Sequence, residues 1–179
     1  AISLGIGEPD FVTPWHIRDA GIYSLEKGFT KYTSNAGMAE LRREIASYLE
    51  RRFSLRYDFA SQIVVTVGGS EAIDLALRCI LNPGDEVIVF SPYFAMYRSQ
   101  IELAGGVCVD VPTYACENYA ISEERLRAAI TPKTKAIIFN NPTNPTGMAY
   151  GRETLELLAK IAQEYDLLVA ADEIYTTYL

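Results

Sequence analysis

Asn140-Asn141-Pro142-Thr143-Asn144-Pro145-Thr146-Gly147 follows directly on the apolar run Ala136-Ile137-Ile138-Phe139. That run has the character of a buried strand. Two prolines and a glycine prevent either a strand or a helix from continuing, so the chain turns sharply here. A helical pattern opens again near Arg152. Strand, rigid polar turn and helix, in that order, are how an open α/β sheet presents ligand-binding groups at its carboxyl edge. Between Pro142 and Pro145, Asn144 holds out a side-chain amide from backbone with little freedom. Alone, the stretch reads equally well as a proline-rich connection without chemistry. The other loops decide between the two.

Upstream, residues 62–67 are β-branched and predict a strand that runs into Gly68-Gly69-Ser70-Glu71, with a helix over 72–81. Glycines let backbone approach an anion, Ser70 adds a hydroxyl, and the helix start offers unpaired N–H groups and a positive dipole end. A tight strand-to-helix turn accounts for the same glycines. The next strand, over 85–90, ends in Ser91-Pro92-Tyr93-Phe94 and is followed by a helix over 95–104. Phe94, just past a strand end, suits stacking on a flat ligand or packing in the core. A strand over 106–111, a loop over 114–118 and a helix over 122–130 capped by Ser122 come next.

Downstream of the turn, an amphipathic helix over 153–165 puts Leu155, Leu158, Ala159 and Ala162 on its inner face. Leu167-Leu168-Val169-Ala170-Ala171 predicts a buried strand, and Asp172-Glu173-Ile174-Tyr175 marks its end. An acid directly after a fully apolar strand is costly to desolvate unless it meets a cation. Asp172 is therefore the most informative single charge in the chain.

The front of the chain is less telling. Ile2-Ser3-Leu4-Gly5-Ile6-Gly7 leads into Glu8-Pro9-Asp10-Phe11, where the glycines permit close backbone approach or simply a turn. Thr13 as N-cap and Pro14 at the first helical position predict a helix running to Lys27 and stopped by Gly28. After the polar loop 32–37, a helix over 38–53 sets Leu41, Ile45, Tyr48 and Leu49 on one face and its Glu and Arg residues on a solvated one. Tyr32 in that loop is a packing aromatic or a hydroxyl aimed at a ligand.

A chain of 179 residues suits one domain burying roughly 70% of its unfolded surface. The net charge of −7 argues against a nucleic-acid partner, which would need a basic stripe. Cys79, Cys108 and Cys116 show no CxxC spacing, and the lone His16 is poor material for a metal site, so no metal is expected. Reduced cysteines and the absence of a long apolar run point to the cytoplasm and to no membrane partner.

Alternating strands and helices imply a mostly parallel, doubly wound α/β sheet with helices on both faces. Such a sheet brings the loops 68–71, 92–94, Asn144 and 172–175 to one edge, which raises the functional readings above the structural ones.

Taken together, Gly5-Ile6-Gly7-Glu8-Pro9-Asp10-Phe11, Tyr32-Thr33-Ser34-Asn35-Ala36-Gly37, Gly68-Gly69-Ser70-Glu71-Ala72, the Asn144 turn and Asp172-Glu173-Ile174-Tyr175 resemble fold-type I pyridoxal-phosphate enzymes. The specific likeness is to the class I/II aminotransferases related to aspartate and aromatic aminotransferases. The resemblance implies pyridoxal 5'-phosphate as cofactor, with Gly69 and Ser70 on its phosphate and Phe94 stacked on its ring. It places Asn144 and Tyr175 on the phenolic oxygen and Asp172 on the protonated ring nitrogen. Gly7 and Asn144 lie beside the substrate carboxylate, and Tyr32 reaches the phosphate of a neighbouring subunit in a homodimer.

The same resemblance divides the chain into an N-terminal segment, 1–37, with the substrate-side and dimer-contact loops, and the first part of the large domain, 38–179. The Schiff-base lysine and the small C-terminal domain then fall outside these residues, because Lys27, Lys31, Lys133, Lys135 and Lys160 sit in no matching motif. The implied activity is amino transfer between an amino acid and a 2-oxo acid. A β- or γ-lyase, a cyclopropane-forming synthase, or a non-catalytic fragment of the same fold shares these motifs.

Overall fold

The computed structural model describes residue 5 and residues 7–178. It separates into two compact units, divided between Val64 and Val65. The opening motif of the resemblance lies only partly among the described residues, since residues 1–4 and Ile6 fall outside them.

The first unit carries α1 (Trp15–Glu26) and α2 (Ala39–Phe53). Thr13 does not cap α1: the cap position is Pro14, and no side chain accepts a hydrogen bond there. Gly28, at φ +74°, ends the segment as expected. On α2 the expected solvated face is interrupted by Arg42, which is buried. Its guanidinium donates to the carbonyls of Phe59 at 3.0 Å and Ala60 at 3.2 Å. A long aliphatic stem lets arginine cross apolar surface and satisfy carbonyls on the far side. Leu41 and Tyr48 are exposed, while Ile45 and Leu49 are half-buried.

The second unit holds α3 (Gly69–Ile80), β1 (Glu86–Ser91), α4 (Met96–Leu103), β2 (Val107–Pro112), α5 (Glu123–Ala129), β3 (Thr134–Asn140), α6 (Arg152–Glu164) and β4 (Leu168–Asp172). All pairings in the sheet are parallel, in the order β2-β1-β3-β4. Side chains alternate faces along each strand. Ile88, Phe90, Ile137 and Phe139 therefore pack with Leu126 of α5 and Leu158 and Ile161 of α6. Val87, Val89, Ala136 and Ile138 meet Leu77 of α3 and Tyr97 and Ile101 of α4. Helices cover both faces, as the alternation predicts. Each fully buried aliphatic side chain in these layers contributes about 1.5–3 kcal/mol relative to exposure.

Three more local expectations fail. Residues 62–67 form no strand, and Val64 and Val67 are 61% and 91% exposed. β-Propensity expresses packing against a neighbouring strand, and no described strand pairs with this run. β4 is not buried: Leu168 and Val169 are exposed, because β4 is the outermost strand and is paired on one side only. On α6 the buried stripe is Leu158, Ile161 and Ala162, whereas Leu155 and Ala159 are exposed. The inner face is rotated toward half-buried Leu157, which packs against the same core as β3.

Candidate functional site

β1, β3 and β4 all end at one edge of the sheet, where α3 also begins. A cleft open to solvent lies there, with about 410 Å³ of empty space. Gly69, Ser70, Ile73, Phe94, Asn140, Asn144, Asp172, Ile174 and Tyr175 line it. Six of the residues singled out in the sequence thus share one cavity.

Each wall has a local cause. Gly68 precedes α3 at φ +83°, a conformation costly for any residue with a Cβ, and from it the helix starts abruptly at Gly69. The helix therefore begins earlier than the predicted 72, which puts Gly69 and Ser70 in its first turn, where backbone N–H groups lack intrahelical partners. Glu71 turns back to accept the N–H of Val67. A Cβ at Gly69 would meet only Ile174 Cδ1, at 3.9 Å.

Opposite, the proline-bounded turn is tied down by Asn140. Its Nδ2 donates to the carbonyl of Asp172 at 2.9 Å, and its Oδ1 accepts the N–H of Asn144 at 2.7 Å. Thr143 Oγ1 donates to the carbonyl of Asn140 at 2.8 Å. Asn141 is spent on the far end of the loop, accepting the Tyr150 N–H at 2.9 Å and donating to the Tyr150 carbonyl at 3.3 Å. Asn144 alone among these amides leaves its side chain for the cleft.

Asp172 closes β4. The Tyr97 hydroxyl donates to its Oδ2 at 2.5 Å, and the Ile174 N–H donates to Oδ1 at 3.3 Å. The desolvation of this acid is therefore met in part by neutral donors, a correction to the expectation that only a cation would meet it. Burial pushes the Tyr97 phenol strongly up, and the neighbouring carboxylate adds to the effect. Phe94 stands edge-on to Tyr97, with ring centroids 5.7 Å apart.

Among the described residues, the Ser70 hydroxyl, the Asn144 side-chain amide and the Tyr175 hydroxyl have no hydrogen-bond partner within the protein. Together with the Asp172 carboxylate and the N-terminal turn of α3, they form a donor set with one anion. That set fits a flat cationic heterocycle carrying an anionic tail: dipole and hydroxyl for the tail, carboxylate for the ring cation, amide and phenol for an oxygen between. Among the described residues no cluster of His, Cys, Asp and Glu could hold a metal ion, and no helix is long and apolar enough to cross a membrane.

Gly7 and Tyr32 belong to the first unit, and the cleft described above is lined by residues of the second. Tyr32 is exposed. Residues the sequence reading missed are Asn140, Tyr97 and Gln100. Asn140 was legible as the polar end of an apolar strand. Tyr97 and Gln100 meet residues 75 and 30 positions away, and nothing in the local sequence singles them out.

The model for aminotransferases of class I and II matches residues 1–179. The Bacillus subtilis protein YugH, whose name assigns it to the aminotransferases, is 50% identical over 174 residues, covering 97% of this chain and 45% of its own length. An aspartate aminotransferase of Bacillus sp. YM-2 is 47% identical over 178 residues, covering 99% of this chain and 45% of its own. The crystal structure of an aromatic aminotransferase from Pyrococcus horikoshii superposes with a TM-score of 0.93 at 41% identity, covering 96% of this chain and 46% of that one. The chain thus spans under half the length of the relatives it matches. Motif order, parallel sheet and convergent cleft agree with the match over the full sequence, and the chain belongs to the class I and II aminotransferases, a pyridoxal-phosphate family.

Proposed function

We propose that this chain supplies the cofactor-holding half of an aminotransferase that exchanges an amino group between an amino acid and a 2-oxo acid. The observation that carries the reading is the meeting of Ser70, Phe94, Asn144, Asp172 and Tyr175 around one cleft. Names of relatives, aspartate aminotransferase and aromatic aminotransferase among them, favour aspartate or an aromatic amino acid as donor.

When bound, pyridoxal phosphate supplies an electron-withdrawing cationic ring to the substrate's α-carbon. The Asp172 carboxylate holds a proton at the ring nitrogen. Gly69 and Ser70 bind the phosphate through backbone N–H groups and the Ser70 hydroxyl, aided by the dipole of α3. Phe94 would pack against the ring and exclude water from it, and Asn144 and Tyr175 would donate to its phenolic oxygen. Asn144 orients the substrate carboxylate, and the family resemblance assigns Gly7 to the same carboxylate and Tyr32 to the phosphate of the neighbouring subunit in a homodimer. Among the described residues lining the cleft none is a lysine, so the proton-transferring lysine of the family mechanism is not assigned to a residue of this chain. A cytoplasmic location accords with this chemistry.

The test uses the full-length protein titrated with pyridoxal phosphate and, separately, with pyridoxal. Ser70→Ala should weaken the first by about tenfold, the range of a charge-assisted hydrogen bond, and leave the second unchanged. Equal loss for both ligands, or binding of neither by the unaltered protein, overturns the reading.

A further inference from the structure

We infer that Tyr97 is a positioning residue for the ring-nitrogen site: its hydroxyl fixes the Asp172 carboxylate and withdraws charge from it, and so sets how strongly the ring nitrogen holds its proton. The inference rests on the cofactor reading above.

Tyr97 lies on α4 beneath the cleft, 1% exposed, and 75 residues away in sequence from the acid it meets. Its ring is wedged between Tyr93, stacked at 6.1 Å, and Phe94, edge-on at 5.7 Å. Between those two rings, the hydroxyl lies on Asp172 Oδ2. The Ile174 N–H takes Oδ1 at 3.3 Å, so both carboxylate oxygens are anchored and the plane of the acid is set by the protein. A carboxylate left to rotate would lose the fixed geometry on which a directed ion pair depends.

The phenol also tunes charge. Hydrogen bonds donated to an ionised carboxylate favour the ionised form and make it a weaker base. With the Tyr97 hydroxyl held on Oδ2, the Asp172 carboxylate pulls on the ring proton less than one without that donor would. The phenol itself stays protonated, because burial and the adjacent carboxylate both oppose its ionisation, with Tyr175 adding in the same sense. The hydroxyl therefore remains a donor where an ordinary tyrosine begins to ionise. The ionisable groups facing it are Asp172 and Tyr175 at the cleft and Tyr93 on its stacked face.

The experiment uses the full-length protein loaded with pyridoxal phosphate labelled with ¹⁵N in the ring, and follows the ring-nitrogen chemical shift as pH is raised. Y97F keeps the aromatic contacts and removes only the donor. The deprotonation midpoint of the ring nitrogen should rise by about one pH unit, the size of one charge-assisted hydrogen bond. Y93F removes a hydroxyl from the neighbouring ring without touching Asp172 and should leave the midpoint where the unaltered protein has it. A midpoint in Y97F equal to that of the unaltered protein, or an equal displacement in Y93F, overturns the inference while leaving the cofactor reading intact. An unaltered protein that does not retain pyridoxal phosphate overturns both.

Discussion

Gln100 Nε2 donates to the carbonyl of Ser70 at 2.7 Å, tying the first turn of α3 to α4 from within the core. Gln100 is buried, and its Oε1 has no partner. Tyr97, one turn earlier on the same helix, ties α4 to Asp172. A single helix thus spaces the Ser70 side of the cleft from the Asp172 side.

Q100L should separate fold from site. Replacing the amide removes both the hydrogen bond and the unpartnered buried acceptor, so the change in unfolding free energy should stay within about 1 kcal/mol. Pyridoxal phosphate affinity should fall by roughly fivefold as the α3 turn loosens, about one ordinary hydrogen bond's worth. Denaturant unfolding and cofactor titration of the full-length protein measure the two. Loss of stability without loss of affinity would make Gln100 a packing residue only.

These ties explain what the sequence could and could not disclose. Ser70, Phe94, Asn144 and Asp172 were legible because each follows a strand or opens a helix, and parallel topology alone brings such positions to one edge. Tyr97 and Gln100 act on residues 75 and 30 positions away, a separation that no local pattern encodes. Arg42 was misread for the same reason, since the carbonyls it satisfies lie 17 and 18 residues on. Residues 62–67 failed differently: a β-branched run carries propensity but not the neighbour that makes it a strand.

Alkaline titration should destabilise the fold. Burial pushes the Tyr93 phenol up to about 12, with an acceptor from Asp110 adding to it, and burial likewise raises Tyr97 and Tyr150. A raised phenol contributes stability that is complete below the ordinary value of 10.0 and is lost as pH climbs toward the folded value. The melting temperature should therefore hold up to about pH 10 and fall as pH rises beyond it, and tyrosinate absorbance should show a class of phenols ionising late. All twelve tyrosines ionising together near the ordinary value would contradict this.

Gly106 is held by crowding rather than by its backbone angle. A Cβ there would lie 2.8 Å from Leu81 Cδ1, 3.1 Å from Ile101 Cγ2 and 3.2 Å from the carbonyl of Asp85. Leucine can yield, but the backbone carbonyl entering β1 cannot. G106A should cost about 1–3 kcal/mol in denaturant unfolding, the range of a one-methyl overpacking. A neutral outcome would mean that the α4–β2 connection gives more easily than its contacts indicate.

Asp172 carries the central claim: its carboxylate keeps the ring nitrogen of the cofactor protonated. The direct measurement is amino-transfer turnover of full-length D172N, with bound cofactor quantified in the same sample. An amide is nearly the same shape but cannot pair with a cation, so turnover should drop by about a thousandfold or more, the scale of a lost preorganised charge, with the fold unchanged and cofactor still bound. Turnover within a fewfold of the unaltered protein, at equal cofactor occupancy, would contradict the account.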